Sequence, residues 1–109
     1  MPYNVSMYSF IETKLFSRLV GKYLSDEEYA SLQRALIVNP ESGALIPGSG
    51  GVRKLRWALP GRGKRGGVRV IYYAKTREGV IWMLTIYAKN VAENISAHVL
   101  RKIKEEIDG

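Results

Sequence analysis

The rest of this chain is organised around a predicted β-hairpin at residues 52–75, whose sequence is VRKLRWALPGRGKRGGVRVIYYAK. Two runs of alternating polarity flank a glycine-rich loop, which is the pattern of paired antiparallel strands. One face of the hairpin would be buried, and its residues are Leu55, Trp57, Val70 and Tyr72. Successive side chains of a strand point to opposite faces, so the other face would present Lys54, Arg56 and Arg69.

The positive charge of the chain is concentrated in this hairpin. The 109 residues include 17 basic and 10 acidic ones, a formal net charge of +7, and no acid lies between Glu41 and Glu78. Concentrated positive charge favours a nucleic acid or an acidic protein as the partner. The alternative is a solvated surface that binds nothing.

Length and composition exclude several classes of protein. A chain of 109 residues with 46% apolar content is one globular domain, residues 1–109. With no cysteine and one histidine, His98, it lacks disulfides, thiol nucleophiles and the usual ligands of transition metals. There is no apolar run long enough to span a membrane and no signal peptide, so we expect a cytoplasmic protein.

The remaining segments alternate between strand and helix patterns. We expect a first strand at residues 3–11, then a helix capped by Thr13 and a second helix whose capping box is Ser25 and Glu28. Asn39 and Pro40 end the second helix, and residues 41–51 form a loop. After the hairpin and a turn at residues 76–79 come a strand at 80–89 and an amphipathic helix at 91–107.

Alternation along the last strand predicts how its side chains divide between the two faces. One face would carry Trp82, Leu84 and Ile86. The other would carry Thr85, Tyr87 and Lys89 beside the cations of the hairpin.

The loop of the hairpin contains a literal G-x-G-x-x-G motif at residues 61–66. A dinucleotide-binding motif must follow a strand and open a helix, whereas these glycines lead into a strand. We therefore interpret the loop as a flexible basic segment that could bind around a phosphate backbone through Arg62, Lys64 and Arg65. His98 stands alone in the last helix, which is typical of a solvated or half-buried histidine rather than a catalytic one.

Several of six polar residues would converge on one concave face of the sheet, and the six are Lys54, Arg56, Lys64, Arg69, Tyr87 and Lys89. Cleavage of RNA through an attacking ribose 2′-hydroxyl requires proton transfers and neutralisation of a phosphorane, and clustered cations supply the neutralisation. A lysine among other cations has a lowered pKa and can exchange protons near neutral pH. The same residues could bind a phosphate backbone passively, and the residues alone favour binding over catalysis.

Several segments in order resemble the HigB-like branch of the RelE/ParE toxin superfamily. They are LSDEEY at residues 24–29, NP at 39–40, GGVRKLRWA at 50–58, GRGKRGGVRVIYY at 61–73 and LTIYAKN at 84–90. The resemblance implies a small α+β domain with an antiparallel sheet, two helices after the first strand and a C-terminal helix. It also implies a type II toxin: a metal-independent, ribosome-dependent endoribonuclease that cleaves mRNA in the ribosomal A site. A cognate antitoxin would neutralise it, and oligomers would form mainly through the toxin–antitoxin complex; no cofactor and no membrane are implied.

The resemblance also assigns roles to residues. Arg69 would hold the scissile phosphate, Lys54 or Lys64 would transfer a proton or stabilise charge, and Arg56 and Lys89 would complete the cationic face. RNA-binding residues would be Arg53, Arg62, Arg65 and Asn90. Some RelE relatives have an arginine at the position of Asn90, and a tyrosine near the position of Ser96 is their proposed general base. This chain has neither, so Tyr87, Lys64 and Lys89 are all open as the general base.

Two other functions fit the same fold. A ParE-like protein would inhibit DNA gyrase without nuclease activity, although the cationic face argues against this. A regulatory RNA-binding module would use the same cations without cleaving RNA.

Overall fold

Five strands form one mixed sheet in the computed structural model, which describes residues 8–59, 67–88 and 97–108, with the backbone alone for residues 97–99 and 106. The elements in order are β1 (Ser9–Glu12), α1 (Lys14–Tyr23), α2 (Asp26–Val38), β2 (Ala44–Leu45), β3 (Arg53–Trp57), β4 (Val68–Lys75), a 3₁₀ turn (Thr76–Glu78), β5 (Val80–Ala88) and α3 (Ala97–Asp108). The order of strands across the sheet is β1-β5-β4-β3-β2. The α+β class and the predicted order of helices and strands are confirmed.

The sheet is antiparallel from β2 to β5, but β1 runs parallel to β5. Thr13 joins this edge to the first helix, since its hydroxyl donates to the carbonyl of Leu84 at 2.7 Å and accepts from the amide of Phe16 at 3.0 Å. The resemblance implies an antiparallel sheet, and this expectation is wrong at the β1 edge, where the pairing is parallel. The periodicity of residues along a strand does not show in which direction the strand pairs. Within the predicted loop 41–51, the two residues of β2 form the opposite edge of the sheet.

The helices α1 and α2 begin where their caps predict. Ser25 accepts from the amide of Glu28 at 3.1 Å, and the Glu28 carboxylate accepts from the amide of Ser25 at 2.8 Å, which completes the capping box. Both helices bury their apolar sides against one face of the sheet, which we call the first face. Its core residues are Phe16, Leu24, Leu32, Leu36, Leu59, Val68, Val70, Tyr72, Ile81, Met83 and Ile86.

The opposite, second face of the sheet carries α3. Leu100 of α3 is buried with Val52, Ile71 and Leu84, and half-buried side chains surround them: Ile46, Tyr73, Trp82, Tyr87, Ile103 and Ile107. No helix within the described ranges is long and apolar enough to cross a membrane. α3 therefore covers one part of the second face, and Arg56 and Arg69 lie on another part of it.

A β-bulge in the β4–β5 pair corrects the predicted alternation of β5. Ile71 pairs with Thr85 while Tyr72 pairs with Met83, so Leu84 is an extra residue on β5. Ile86 consequently packs in the first-face core, whereas Trp82 and Leu84 pack under α3. The prediction that these three side chains share a face is wrong, because an inserted residue shifts the parity of everything beyond it.

Candidate active site

Three predicted site residues form a row across the second face. In the register of the sheet, Arg56 of β3 lies opposite Arg69 of β4, and Arg69 lies opposite Tyr87 of β5. Side chains directly opposite in an antiparallel pair have their Cβ atoms about 5 Å apart. The hairpin and β5 together thus bring a guanidinium, a second guanidinium and a phenol into one line, as the alternation of the strands predicts.

Lys54 extends this row into a patch. It lies two residues before Arg56 on the same face of β3, about 7 Å away along the strand. Lys54 and Arg56 are exposed, while Arg69 and Tyr87 are half-buried. We call Lys54, Arg56, Arg69 and Tyr87 the sheet-face cluster, and its two exposed cations are accessible to a ligand as large as a nucleic acid strand.

The charge of the sheet-face cluster is not balanced by neighbouring acids. The strands β3, β4 and β5 contain no acidic residue, and within the described ranges no ion pair joins Lys54, Arg56 or Arg69 to a carboxylate. Like charges directly opposite on neighbouring strands destabilise a sheet by some tenths of a kcal/mol, up to about 1. Two facing arginines without an acid therefore favour a polyanionic ligand over a structural role.

Two features orient the half-buried members of the sheet-face cluster. A Cβ built on Gly67 would lie 3.8 Å from Nη1 of Arg69 and 3.4 Å from the carbonyl oxygen of Trp57, so the Arg69 guanidinium lies beside Gly67. The ring of Tyr87 packs against the cluster of Val52, Ile71, Leu84 and Leu100 under α3. Side chains that are already restricted lose less conformational entropy when a ligand binds, which favours a site that holds its groups in fixed positions.

Arg53 is not part of this assembly. It pairs with Tyr72 in the register and lies on the first face, where Nη1 donates to the carbonyls of Gly43 at 2.7 Å and Glu41 at 3.2 Å. The guanidinium thus holds the segment before β2, and its predicted contact with RNA has no support from this position. The other predicted site residues, Arg62, Lys64, Arg65, Lys89 and Asn90, lie outside the described residues.

A separate cleft of about 530 Å³ opens on the other side of the sheet. It is lined by Glu27, Glu28, Ser31, Trp57 and Ala58, and none of the basic residues of the sheet-face cluster reaches it. Its carboxylates would repel a polyanion, which distinguishes this cleft from the cationic second face. Across the described ranges, no three His, Cys, Asp or Glu side chains come together that could hold a metal ion.

Comparison with known proteins decides the family. The model of the RelE toxin, from the RelE/RelB toxin–antitoxin system, matches residues 10–107. The chain belongs to the RelE toxin family. A double mutant of the Escherichia coli toxin RelE in the free state has the same fold, with a TM-score of 0.54, 14% identity and coverage of 90% of this chain and 97% of that one. The archaeal RelE of the RelE–RelB complex from Pyrococcus horikoshii gives a TM-score of 0.53, 18% identity and coverage of 79% and 99%.

A polar cluster that the sequence did not predict joins α3 to β4 in this RelE-family chain. Asp108 at the end of α3 accepts from Lys104 at 2.9 Å and from Lys75 of β4 at 3.2 Å, and the hydroxyl of Tyr73 donates to both its oxygens at 3.2 and 3.3 Å. The Lys104 ammonium also lies 5.5 Å from the centre of the Tyr73 ring. The spacing of Lys104 and Asp108 on one helix was a readable signal, but their contact with β4 was not. We call Tyr73, Lys75, Lys104 and Asp108 the α3 clasp.

The α3 clasp predicts an acid-sensitive docking of the last helix. The hydrogen bond from Lys104, followed by that from Lys75, holds the pKa of Asp108 below its ordinary value of 3.8. A lowered folded-state pKa contributes stability that is present above pH 3.8 and is lost as the pH falls through the folded-state pKa. Thermal unfolding of wild type and Asp108→Asn should therefore differ at pH 6, and the difference should shrink below about pH 4. A difference that stays constant from neutral to acidic pH would contradict this account.

Proposed function

We propose that this RelE-family protein is a ribosome-dependent endoribonuclease that cleaves mRNA in the ribosomal A site and thereby inhibits translation. The observation that carries the proposal is the row of Arg56, Arg69 and Tyr87 across three adjacent strands. Passive binding of RNA requires cations but no particular geometry, whereas cleavage requires charge and a proton-transfer group around one phosphate. The row supplies both kinds of group on a face that also carries Lys54.

The reaction consistent with this row is an attack by the ribose 2′-hydroxyl on the adjacent phosphate. A bond forms between O2′ and phosphorus, and the bond between phosphorus and O5′ of the next nucleotide breaks. The O2′ proton passes to a base, and O5′ receives a proton as it leaves. The products are a 2′,3′-cyclic phosphate end and a 5′-hydroxyl end, so no water enters the balance of this step, and side chains alone can carry both proton transfers.

Each member of the sheet-face cluster has a place in this reaction. Arg69 stands between Arg56 and Tyr87, so a phosphate bound to its planar guanidinium lies within reach of both neighbours. Arg56 and Lys54 neutralise charge that develops on the non-bridging oxygens. We assign the transfer of the O2′ proton to Tyr87, with Lys64 and Lys89 as alternatives that single substitutions would separate.

The chain also needs a partner that restrains it. Its family comprises the toxins of a toxin–antitoxin system, and the similar archaeal RelE was solved in complex with RelB. We infer that a cognate antitoxin protein binds this chain, that oligomers form mainly through that complex, and that the protein acts in the cytoplasm, where ribosomes and mRNA are. The HigB-like branch stays a prediction from the resemblance.

Primer extension on an mRNA, with and without ribosomes, tests the proposal. Cuts that lie within the reading frame and require ribosomes would support it. Cuts on naked RNA would indicate a ribosome-independent nuclease. No cuts from a folded protein would exclude the nuclease, and a DNA supercoiling assay with gyrase would then test the ParE-like alternative.

A further inference from the structure

A second basic surface lies on α1, away from the sheet-face cluster. Lys14, Arg18 and Lys22 follow one another at intervals of four residues along the helix, and all three are exposed. Residues three or four apart lie on the same side of an α-helix, and eight residues span about 12 Å. We call these three residues the α1 stripe.

The acid that precedes α1 in the sequence forms hydrogen bonds elsewhere. Glu12 is the one acidic residue before Asp26 in the sequence. Its carboxylate accepts a hydrogen bond from the Ser17 hydroxyl at 2.5 Å and another from the Tyr29 hydroxyl at 2.7 Å. Burial and the hydrogen bond to Glu12 raise the pKa of Tyr29, so this phenol stays protonated and keeps donating. Within the part of the chain that the structure describes, no ion pair involves Lys14, Arg18 or Lys22.

Most charge interactions of the α1 stripe work against the helix, although Lys22 stands in the last turn, where the helix dipole favours a base. Like charges four residues apart destabilise a helix by about 0.2–0.5 kcal/mol per pair, and the stripe contains two such pairs. Lys14 stands in the first turn, where the helix dipole favours an acid rather than a base, and the first turn holds no acid. A helix that served stability alone would carry a glutamate at one of these positions. Local choices that oppose stability are expected at functional surfaces.

The α1 stripe cannot share a single RNA strand with the sheet-face cluster. The apolar side of α1 packs on the first face, against the core that contains Phe16, Val70 and Met83. Its basic side therefore points away from the sheet, and the helix with its side chains is about 10–12 Å thick. Most of the apolar side is covered and, of the large apolar residues of α1, Leu15 alone is exposed, at 39%, so α1 offers little apolar surface to insert into a lipid bilayer.

We propose that the α1 stripe is a second RNA-binding surface, which contacts the phosphate backbone of a folded, double-helical RNA independently of the strand at the sheet-face cluster. A straight row of cations about 12 Å long matches the dense, regular charge of a duplex, which in double-stranded DNA is one phosphate charge per about 1.7 Å of axis. Lysine and arginine stems on a helix read charge and shape rather than bases, so the contact would be independent of sequence. The surface does not require the nuclease activity.

Duplex binding by charge-matched variants tests this surface. The probe is a fluorescein-labelled RNA duplex of about two helical turns, and anisotropy is measured between about 50 and 200 mM KCl. The stripe variant combines Lys14→Gln, Arg18→Gln and Lys22→Gln. The control combines Arg34→Gln, Arg77→Gln and Lys102→Gln, which are exposed on other elements, and each variant removes three charges from the net +7.

We expect the stripe variant to lose about 0.9 units of salt slope per phosphate contact, so about 2–3 in total, and about tenfold or more in affinity near 100 mM KCl. The control should change the slope by less than about one unit. The stripe variant should also unfold at the same or a higher temperature than wild type, because two repulsive pairs are removed.

Three outcomes would overturn the proposal. Equal losses in both variants would show that net charge alone governs binding. Unchanged duplex binding in the stripe variant would leave the stripe a solvated face. Unchanged duplex binding together with lost binding to phosphatidylglycerol vesicles would assign it to membranes. Since none of these measurements uses cleavage, a failure here is distinct from a failure of the proposed nuclease.

Discussion

Arg69→Ala should lower ribosome-dependent mRNA cleavage by about 10²–10³-fold, since loss of one preorganised donor at a developing charge has an effect of this size. Arg69 lies between Arg56 and Tyr87 in the register, so the variant removes the group that both neighbours flank. The protein should stay folded. One of two facing arginines is removed, and the free energy of unfolding should stay within about 1 kcal/mol of the wild-type value.

The measurement is primer extension on ribosome-bound mRNA, alongside thermal unfolding of the same preparation. Arg77→Ala is the matched control, because Arg77 is exposed in the 3₁₀ turn and off the sheet, and it should cleave like wild type. Arg69→Lys keeps the charge but loses the planar fork, so its rate should fall between the two. Wild-type cleavage by a folded Arg69→Ala protein would remove Arg69 from the reaction.

Tyr87→Phe separates proton transfer from packing at the same site. The substitution keeps the ring, which packs in the cluster under α3, and removes the hydroxyl. General acid–base groups contribute about 10²–10⁴-fold to a rate, so loss of cleavage in this range with unchanged stability would support the assignment to Tyr87. Unchanged cleavage would transfer the role to Lys64 or Lys89, where the same comparison can be made.

Much of the site could be predicted because it depends on strand alternation. A period of two assigns each residue of a regular strand to a face, so Lys54, Arg56 and Arg69 were placed correctly from the sequence. The same rule assigns Arg53 to the opposite face, with Leu55 and Trp57. Charge and family resemblance suggested RNA contact for Arg53, although its parity already indicated the first face, where it binds two backbone carbonyls.

Other features depend on relations between distant segments. The bulge at Leu84 is a property of the pairing of β5 with β4, and no residue in LTIY signals it. The parallel direction of β1 follows from how the chain crosses the sheet through α1 and α2. The basic spacing of Lys14, Arg18 and Lys22 was readable, but the hydrogen bonds that occupy Glu12 were not. The local sequence pattern therefore predicts on which face of the sheet a side chain lies, whereas tertiary contacts decide which charged side chains form ion pairs.

Tyr72 holds the segment before β2, and its removal should have a second large effect, this one on stability. The Tyr72 side chain is fully buried. Its hydroxyl donates to the carbonyl of Pro40 at 2.7 Å and accepts from the amide of Gly43 at 2.9 Å. Tyr72→Phe leaves both backbone groups without this partner, so we expect a loss of about 1–3 kcal/mol in the free energy of unfolding. Tyr23→Phe, on a half-buried tyrosine of α1, is the control and should change stability by less than about 0.5 kcal/mol.

Gly43→Ala should disrupt the same contact between Gly43 and Tyr72, here by changing Gly43. A Cβ at this position would lie 2.9 Å from Cε1 of Tyr72 and 3.0 Å from both the Tyr72 hydroxyl and the carbonyl oxygen of Lys54, closer than side chains approach. The segment before β2 must then move away, at about 1–3 kcal/mol. Because either substitution disrupts the same hydrogen bonds, urea unfolding of the double variant should show a loss smaller than the sum of the single losses by about 1 kcal/mol. Additive losses would mean that Gly43 and Tyr72 act separately, and that the segment before β2 is held by the Arg53 guanidinium instead.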